Sequence, residues 1–546
     1  MNRNRKQIDA SREPSRNQSA GDLLRFLFGS AGYEHDDLVC HRSQVSSRDS
    51  HWTDFTLALH FRLDSCMSSA REPRYNAFVS KQEIHFGTSG WRGIIAEDFT
   101  FAGVRRASAA IAQHVLAHKK SPTLIVGYDT RFFSVEFART AAGILRSHGC
   151  KVLYCQSATP TPTIAHAIIH NQFDGGINIT ASHNPYDYNG IKFSGPEGGP
   201  ALPYVTKDIE KRAAALNDDE NPPQEIGDDF EKIDSRAPYF AQLEKLVRFD
   251  VLKKAKGSFV CDALHGCGAG WLDRILADHG IAVAELRANR DVLFDGGAPD
   301  PSEENLGQLK KAVLEKKALA GLATDGDADR FGILDRDGTF FQPNHILALV
   351  FDYLLETRGY KLGASRSVAT THLIDAVARL HKVQVYETPV GFKYVGPYLR
   401  ADKIALGGEE SAGMTIRGHV PEKDGILACL LVAEMIVARG ASVGDQLRDL
   451  FRRVGGEYWP IRENLHLAED VQARLVKRLL VNTEEFASRH VTKIDRTDGL
   501  QMTFDDGAWV LMRPSGTEPV VRIYSESSTI AESQKIADDA RKWITN

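Results

Sequence analysis

Three aspartates alternate in the run Asp325-Gly326-Asp327-Ala328-Asp329-Arg330. In an extended segment, alternate side chains project to one side, so these carboxylates crowd together. Like charges at that spacing repel, and a hard divalent cation with oxygen ligands is the usual remedy. A solvated acidic turn is the plainer alternative. An EF-hand is excluded, because its sixth position needs glycine and its twelfth glutamate, where this chain has Arg330 and Arg336. Few carboxylates beside an arginine suit Mg²⁺ that shares its shell with a phosphate.

Three other loops carry reactive or anion-binding groups. In Thr180-Ala181-Ser182-His183-Asn184-Pro185, Ser182 alone reads as a turn cap. Its neighbours add groups that can hold a phosphate or a leaving oxygen: His183, Asn184 and, further on, Lys192. No G-x-S-x-G elbow surrounds the serine, which disfavours acyl transfer. In Arg513-Pro514-Ser515-Gly516-Thr517-Glu518-Pro519, Arg513 offers a planar fork for phosphate and Ser515 and Thr517 add hydroxyls. Gly516 lets backbone N–H groups approach closely, and Arg522 brings a second positive charge. Glu409 and Ser411, in Gly407-Gly408-Glu409-Glu410-Ser411, supply acceptors suited to vicinal sugar hydroxyls.

These loops need strands to carry them. From about residue 83, short apolar runs alternate with helical stretches, the pattern of α/β architecture. Strands are expected in three groups: Leu124–Tyr128, Val152–Tyr154 and Ile177–Thr180; Ser258–Asp262, Ala282–Leu286 and Leu319–Thr324; Ser367–Thr371, Gln384–Glu387 and Ile404–Leu406. Helices are expected at Ala102–His118 and Val135–Ser147. Each group ends in a strand that feeds a polar loop, which implies a threefold repeat of architecture without repeat of sequence. Ligands bind outside the carboxyl ends of strands in open α/β sheets, so three such ends can face one cleft. The end of the chain reads as an antiparallel meander of Leu500–Phe504, Trp509–Met512 and Val520–Tyr524, with a hairpin signal at Asp506-Gly507, followed by a helix from Ile530 to Trp543.

The chain of 546 residues is too long for one core, and its 42% hydrophobic and 25% charged content is that of an ordinary globular protein. A net charge of -5 gives no footing for broad binding to nucleic acid or anionic membrane. The seven cysteines are odd in number and show no CxxC pair, which fits buried thiols in a reducing compartment and disfavours zinc. The most apolar stretch, Ile426–Ala438, is short and contains Glu434, so a buried helix is expected instead of a membrane span. Residues 1 to about 80 are rich in arginine and serine without periodicity and are expected to be a disordered extension. The ordered pattern starts near Glu83, which makes Met67 a second candidate for the translation start. A cytoplasmic location is expected.

Taken together, the four loops resemble the signature loops of the α-D-phosphohexomutase family, in the same order, over roughly residues 83 to 546. Gly87-Thr88-Ser89-Gly90-Trp91-Arg92-Gly93 resembles that family's N-terminal arginine loop. The resemblance implies three topologically similar α/β domains plus a C-terminal α+β domain around a central cleft. The implied boundaries are 1–82 for the extension, then 83–232, 233–338, 339–455 and 456–546. It implies Ser182 as phosphoryl carrier, and Asp325, Asp327 and Asp329 with a phosphoserine oxygen as Mg²⁺ ligands. Arg92, His183 and Arg330 resemble the groups around the transferring phosphate, and Lys192 the general acid/base. Glu409 and Ser411 match the sugar loop. Arg513, Ser515, Gly516 and Thr517 match the grip on the other phosphate, with Arg522 beside it. Thr388-Pro389-Val390-Gly391-Phe392-Lys393 resembles phosphoglucomutase-like members and adds Lys393 to the substrate residues.

The implied activity is interconversion of hexose 1- and 6-phosphates, of glucose and also of mannose, through a hexose 1,6-bisphosphate. Phosphoglucosamine is the next substrate in rank. A phosphatase and a non-catalytic phosphosugar-binding protein are the rivals. The implied partner is a small phosphosugar, with no nucleic acid and no membrane, for a monomer or homodimer.

Overall fold

The computed structural model describes residues 83–217, 229–467, 469–515 and 520–545. The expectations for residues 1–82, and those for Gly516 and Thr517, fall outside the described residues.

Four sheets follow one another along the chain. The first contains β1 (Trp91–Ile94), β2 (Thr123–Tyr128), β3 (Lys151–Cys155), β4 (Gly175–Ile179), β5 (Tyr188–Ser194) and β6 (Glu231–Ile233). The second contains β7 (Phe259–Asp262), β8 (Val283–Leu286), β9 (Ala320–Thr324), β10 (Phe331–Asp335) and β11 (Phe340–Phe341). The third contains β12 (Gly363–Ser367), β13 (Val385–Thr388), β14 (Ile404–Glu409) and β15 (Gly413–Ile416). The last contains β16 (Trp459–His466), β17 (Glu485–Phe486), β18 (Arg489–Asp495), β19 (Leu500–Phe504), β20 (Trp509–Pro514) and β21 (Val520–Ser527).

The first three sheets share one central order. It reads β3-β2-β4-β5 in the first, β8-β7-β9-β10 in the second and β13-β12-β14-β15 in the third. In each, the first three strands are mutually parallel and the fourth returns antiparallel on the third. The threefold repeat is therefore present in topology. Its signature loops occupy one equivalent place, the turn from the third strand into the fourth. β4, β9 and β14 are buried along their whole length, as expected of central strands covered on both faces.

Local sequence sets the helix ends. Thr100 caps Phe101–Leu116 by accepting from the Gly103 amide at 3.1 Å. Asp424 caps Gly425–Arg439 through the Leu427 amide at 2.8 Å, and Gly440 ends that helix at φ +62. This is the expected buried helix; its Glu434 is fully buried, where it meets Arg248 and Arg358 and accepts from Tyr353. Among the described residues, no single helix is long and apolar enough to cross a membrane.

Two expectations fail in detail. Ser367–Thr371 is not the strand; β12 runs over Gly363–Ser367, and Thr370–Thr371 turn into the next helix. The strand Gly-Ala-Ser-Arg-Ser is fully buried yet has almost no apolar side chains, so the hydrophobic pattern pointed to the neighbouring Val368-Ala369. The C-terminal meander is also larger than three strands, with order β16-β21-β20-β19-β18-β17. Most of β16 and β18 is exposed or half-buried, with only Pro460 and Val491 buried, which leaves little apolar signal to read.

The second and third sheets lie on one continuous core, in which Phe259, Phe331, Leu347, Leu354, Met414 and Leu430 all belong to one cluster. The first and last sheets each have their own core.

Candidate active site

Ser182 follows β4 and has φ +55, a left-handed conformation that costs a residue with a Cβ roughly 1–2 kcal/mol. Local bonds hold it there. Its amide donates to Thr180 Oγ1 at 2.8 Å, and its carbonyl accepts from Arg131 at 2.6 Å. Its hydroxyl donates to Asp325 Oδ2 at 2.6 Å, across to the loop after β9. The serine is 1% exposed.

Asp325, Asp327 and Asp329 are fully buried, with carboxylate oxygens within 4.8 Å of one another. Arg330 closes the turn by donating its amide to Asp325 Oδ1 at 2.9 Å. Lys192, on β5, donates to Asp327 at 2.5 Å and to Asp329 at 2.8 Å. Lys423 meets Asp329 at 2.8 Å, and Thr161 donates its hydroxyl to Asp327. Burial, and then repulsion from Asp327 and Asp329, pushes the Asp325 carboxyl well above the ordinary range. Burial acts the same way on Asp329, but Lys192 and Lys423 outweigh it and hold that carboxyl down. Burial alone would lower the Lys192 ammonium; Asp327 and Asp329 instead raise it.

Asp327 Oδ1 and Asp329 Oδ1 are buried without a hydrogen-bond partner. Buried carboxylate oxygens left in that state are costly, and all-oxygen donors suit a hard divalent cation. The triad therefore fits the metal expected from the sequence.

Above these groups opens a cleft of about 400 Å³, lined from all four sheets and their loops. Among the expected site residues, Arg92, His183, Arg330, Glu409, Ser411, Arg513 and Arg522 line it. Arg92 donates to Asn184 Oδ1 at 2.7 Å. Burial, with Arg330 and Arg92 adding to it, holds His183 well below its ordinary value, so its imidazole is neutral at pH 7. Glu409 accepts from the Gly391 amide at 2.6 Å, and burial beside Glu410 pushes its carboxyl up to about 7. Arg513 pairs with Asp498 at 2.9 Å. The described lining is rich in cations: Arg92, Arg330, Lys423, Arg462, Arg513 and Arg522 against Asp98, Glu409 and Glu410. Such a field favours a ligand with more than one anionic group.

Some expected residues stand back from the lining. Ser182, Lys192 and the aspartates form the buried floor. Ser515 is 9% exposed, and its amide donates to the Val520 carbonyl at 2.7 Å. Lys393 is half-buried beside Tyr394. Sequence reasoning missed Lys423, Arg462, Thr161 and Arg131. Lys423 had a signal in Lys423-Asp424-Gly425, a charge beside the cap of a strongly apolar helix. Arg462 had none, because β16 itself was not recognised.

Four consecutive stretches match the domains of one family, Phosphoglucomutase/phosphomannomutase. These are alpha/beta/alpha domain I over 83–220, domain II over 237–338, domain III over 342–454 and the C-terminal domain over 464–542. A phosphoglucomutase/phosphomannomutase of Thermococcus kodakarensis is 33% identical over 445 residues, covering 81% of this chain and 94% of the relative. A probable phosphoglucosamine mutase of Methanosphaera stadtmanae is 30% identical, covering 84% and 98%. In structure, a putative phosphomannomutase from Thermus thermophilus superposes with TM-score 0.75 at 33% identity, covering 85% of this chain and 99% of the other.

Proposed function

Since the chain belongs to the phosphoglucomutase/phosphomannomutase family, an enzyme family of phosphoryl-transferring mutases, we propose that it interconverts hexose 1- and 6-phosphates with Ser182 as the phosphoryl carrier. The observation that carries this reading is the Ser182 hydroxyl at 2.6 Å from Asp325, beneath a cation-lined cleft. Glucose is the foremost substrate in this reading and mannose a second. They differ only at C2, and the acceptors of Glu409 and Ser411 suit the O3 and O4 hydroxyls both sugars share.

Phosphoryl transfer needs positioning and charge neutralisation more than covalent help. Phospho-Ser182 gives its group to the free hydroxyl of a hexose monophosphate: the Oγ–P bond breaks and a sugar O–P bond forms. Arg92 and Arg330 hold the equatorial oxygens, and neutral His183 adds a hydrogen bond without adding charge. Lys192, which reaches Asp327 and Asp329, serves as the general acid/base: it gives a proton to the departing serine oxygen and is reprotonated by the proton that the sugar hydroxyl loses. The resulting hexose 1,6-bisphosphate turns over in the cleft and returns its other phosphoryl group to Ser182. Arg513, Ser515 and Arg522, with Gly516 and Thr517, grip whichever phosphate is not in transfer. Asp325, Asp327 and Asp329, with an oxygen on Ser182, would hold Mg²⁺, which when bound neutralises charge on the transferring group. Closure around the intermediate excludes water that would hydrolyse it.

Relatives named as phosphoglucosamine mutases, at about 30% identity, favour glucosamine phosphate as the second reading. One assay separates the possibilities: glucose 1-phosphate, mannose 1-phosphate or glucosamine 1-phosphate, each with Mg²⁺ and a trace of the matching 1,6-bisphosphate. The 6-phosphate is the expected product. Inorganic phosphate would mean a phosphatase, and no turnover a binding protein. Ser182→Ala is expected to lower kcat by at least about a thousandfold; full activity would refute the carrier role.

A further inference from the structure

The conformation of Ser182 is held from below by one side chain. Arg131 lies in the loop after β2 and is fully buried. Its guanidinium donates to four carbonyls of the serine loop and the start of β5: Ser182 at 2.6 Å, Asn184 at 2.6 Å, Pro185 at 2.6 Å and Tyr188 at 3.1 Å. Its Nε faces Asp129 Oδ2 at 3.2 Å. Asp129 in turn accepts from the Ser134 hydroxyl at 2.7 Å and from the hydroxyl of Thr180, whose Oγ1 accepts the Ser182 amide. Both the amide and the carbonyl of Ser182 are thus fixed by one buried ion pair. The Phe294 ring covers the guanidinium at 5.1 Å, and Arg290 holds the backbone of the arginine itself, donating to the Thr130 carbonyl at 2.9 Å and the Arg131 carbonyl at 3.2 Å.

We propose that Arg131, braced by Arg290, is the positioning residue that sets Ser182 for phosphoryl transfer. It touches neither the cleft nor the triad by a hydrogen bond, so it acts through the serine loop. Only a planar fork with five donors can serve four carbonyls and a carboxylate at once; lysine has three donors on one point. In-line transfer tolerates little displacement, so a loosened Ser182 loses rate while the substrate grip, built from other sheets, is unchanged.

The inference rests on Ser182 as the carrier, and Ser182→Ala is therefore run beside it. Arg131→Lys is expected to keep KM for the hexose 1-phosphate within about twofold while kcat falls about a hundredfold. The fraction of phospho-Ser182 after incubation with the 1,6-bisphosphate, read by intact mass, falls with it, and phosphate release per mutase turnover rises. A merely structural role would lower the melting temperature and the amount of active enzyme, but leave kcat per active site and that ratio unchanged. Arg290 is exposed, so Arg290→Gln tests the brace without threatening the fold; a fall in kcat of about threefold to tenfold at constant KM is expected. If folded Arg131→Lys keeps kcat per active site within about threefold, the proposal is overturned. If that variant does not fold, unchanged kcat and phosphate ratio in Arg290→Gln overturn it. An active Ser182→Ala would instead refute the carrier role itself.

Discussion

The junction between the second and third sheets and the junction between the third and last are built on opposite principles. The first is one apolar core from Tyr239 to Phe451, with no seam between the two sheets. The second rests on a small apolar patch, Val368 and Ala369 against Trp509, Leu511 and Tyr524, on Trp459 at the start of β16 against His345 and Phe451, and on a few directed bonds. Glu526 there accepts from the Thr371 hydroxyl and from the His372 amide at 2.9 Å. Asp498 accepts from the Val390 amide at 3.0 Å, and Gln501 donates to the Val368 carbonyl at 3.0 Å. A shared core resists relative movement, whereas small polar interfaces are where domains rotate. The Asp325–Arg330 loop and the Glu409 loop are thus fixed to one another, while the Arg513 loop is carried on a separately docked piece. The proposed turn of a 1,6-bisphosphate within the cleft would use that division.

The largest effect tests the fixed side. Leu430→Ala, at a fully buried position of the shared core, should cost about 3 kcal/mol. Calorimetry should show the transition of the second and third sheets lowered and that of the last sheet unmoved; an equal shift in both would break the comparison. On the docked side, Arg513→Ala should raise KM about tenfold to a hundredfold at nearly constant kcat, because it removes binding common to ground and transition states. A fall in kcat alone would place Arg513 with the reacting groups instead. Smaller is Glu526→Gln, which should weaken docking by about 1–2 kcal/mol. Limited proteolysis should then cut faster near residue 455, with the main melting transition unchanged.

The smallest effect is a pH dependence at Glu409. Its carboxyl, ordinarily near 4.5, is pushed up to about 7 by burial and Glu410. The stability of the protonated form is therefore complete below about pH 4.5 and is lost as pH rises through about 7. The melting temperature should fall by about 2 °C between about pH 6 and about pH 8, and Glu409→Gln should flatten that slope. A slope unchanged in the variant would assign the titration elsewhere.

The loops that meet at the cleft were legible because each declares itself by residue type: alternating aspartates, a serine beside histidine and asparagine, an arginine before Ser-Gly-Thr. What supports those loops was not. Arg131 is one arginine in a polar turn, and nothing in its neighbours reveals four carbonyl acceptors from a segment fifty residues later. β12 was displaced because a strand of small and polar residues can be buried when helices cover both faces. The strands β2 and β9 were legible as compact, mostly apolar runs, and β19 as an alternation of Leu500, Met502 and Phe504 with polar residues.

The equivalent placement of three loops has a consequence for how such an enzyme can change. In the function proposed above, copies of one strand plan take separate trades: one the reactive hydroxyl, one the cation ligands, one the sugar contacts. Each is lodged in a handful of positions at or beside the same turn, with Glu409 at the end of β14 and Lys192 on β5. Exchanging the six residues from Gly407 to Ala412 for those of a relative should therefore shift KM for the sugar while leaving transfer chemistry intact.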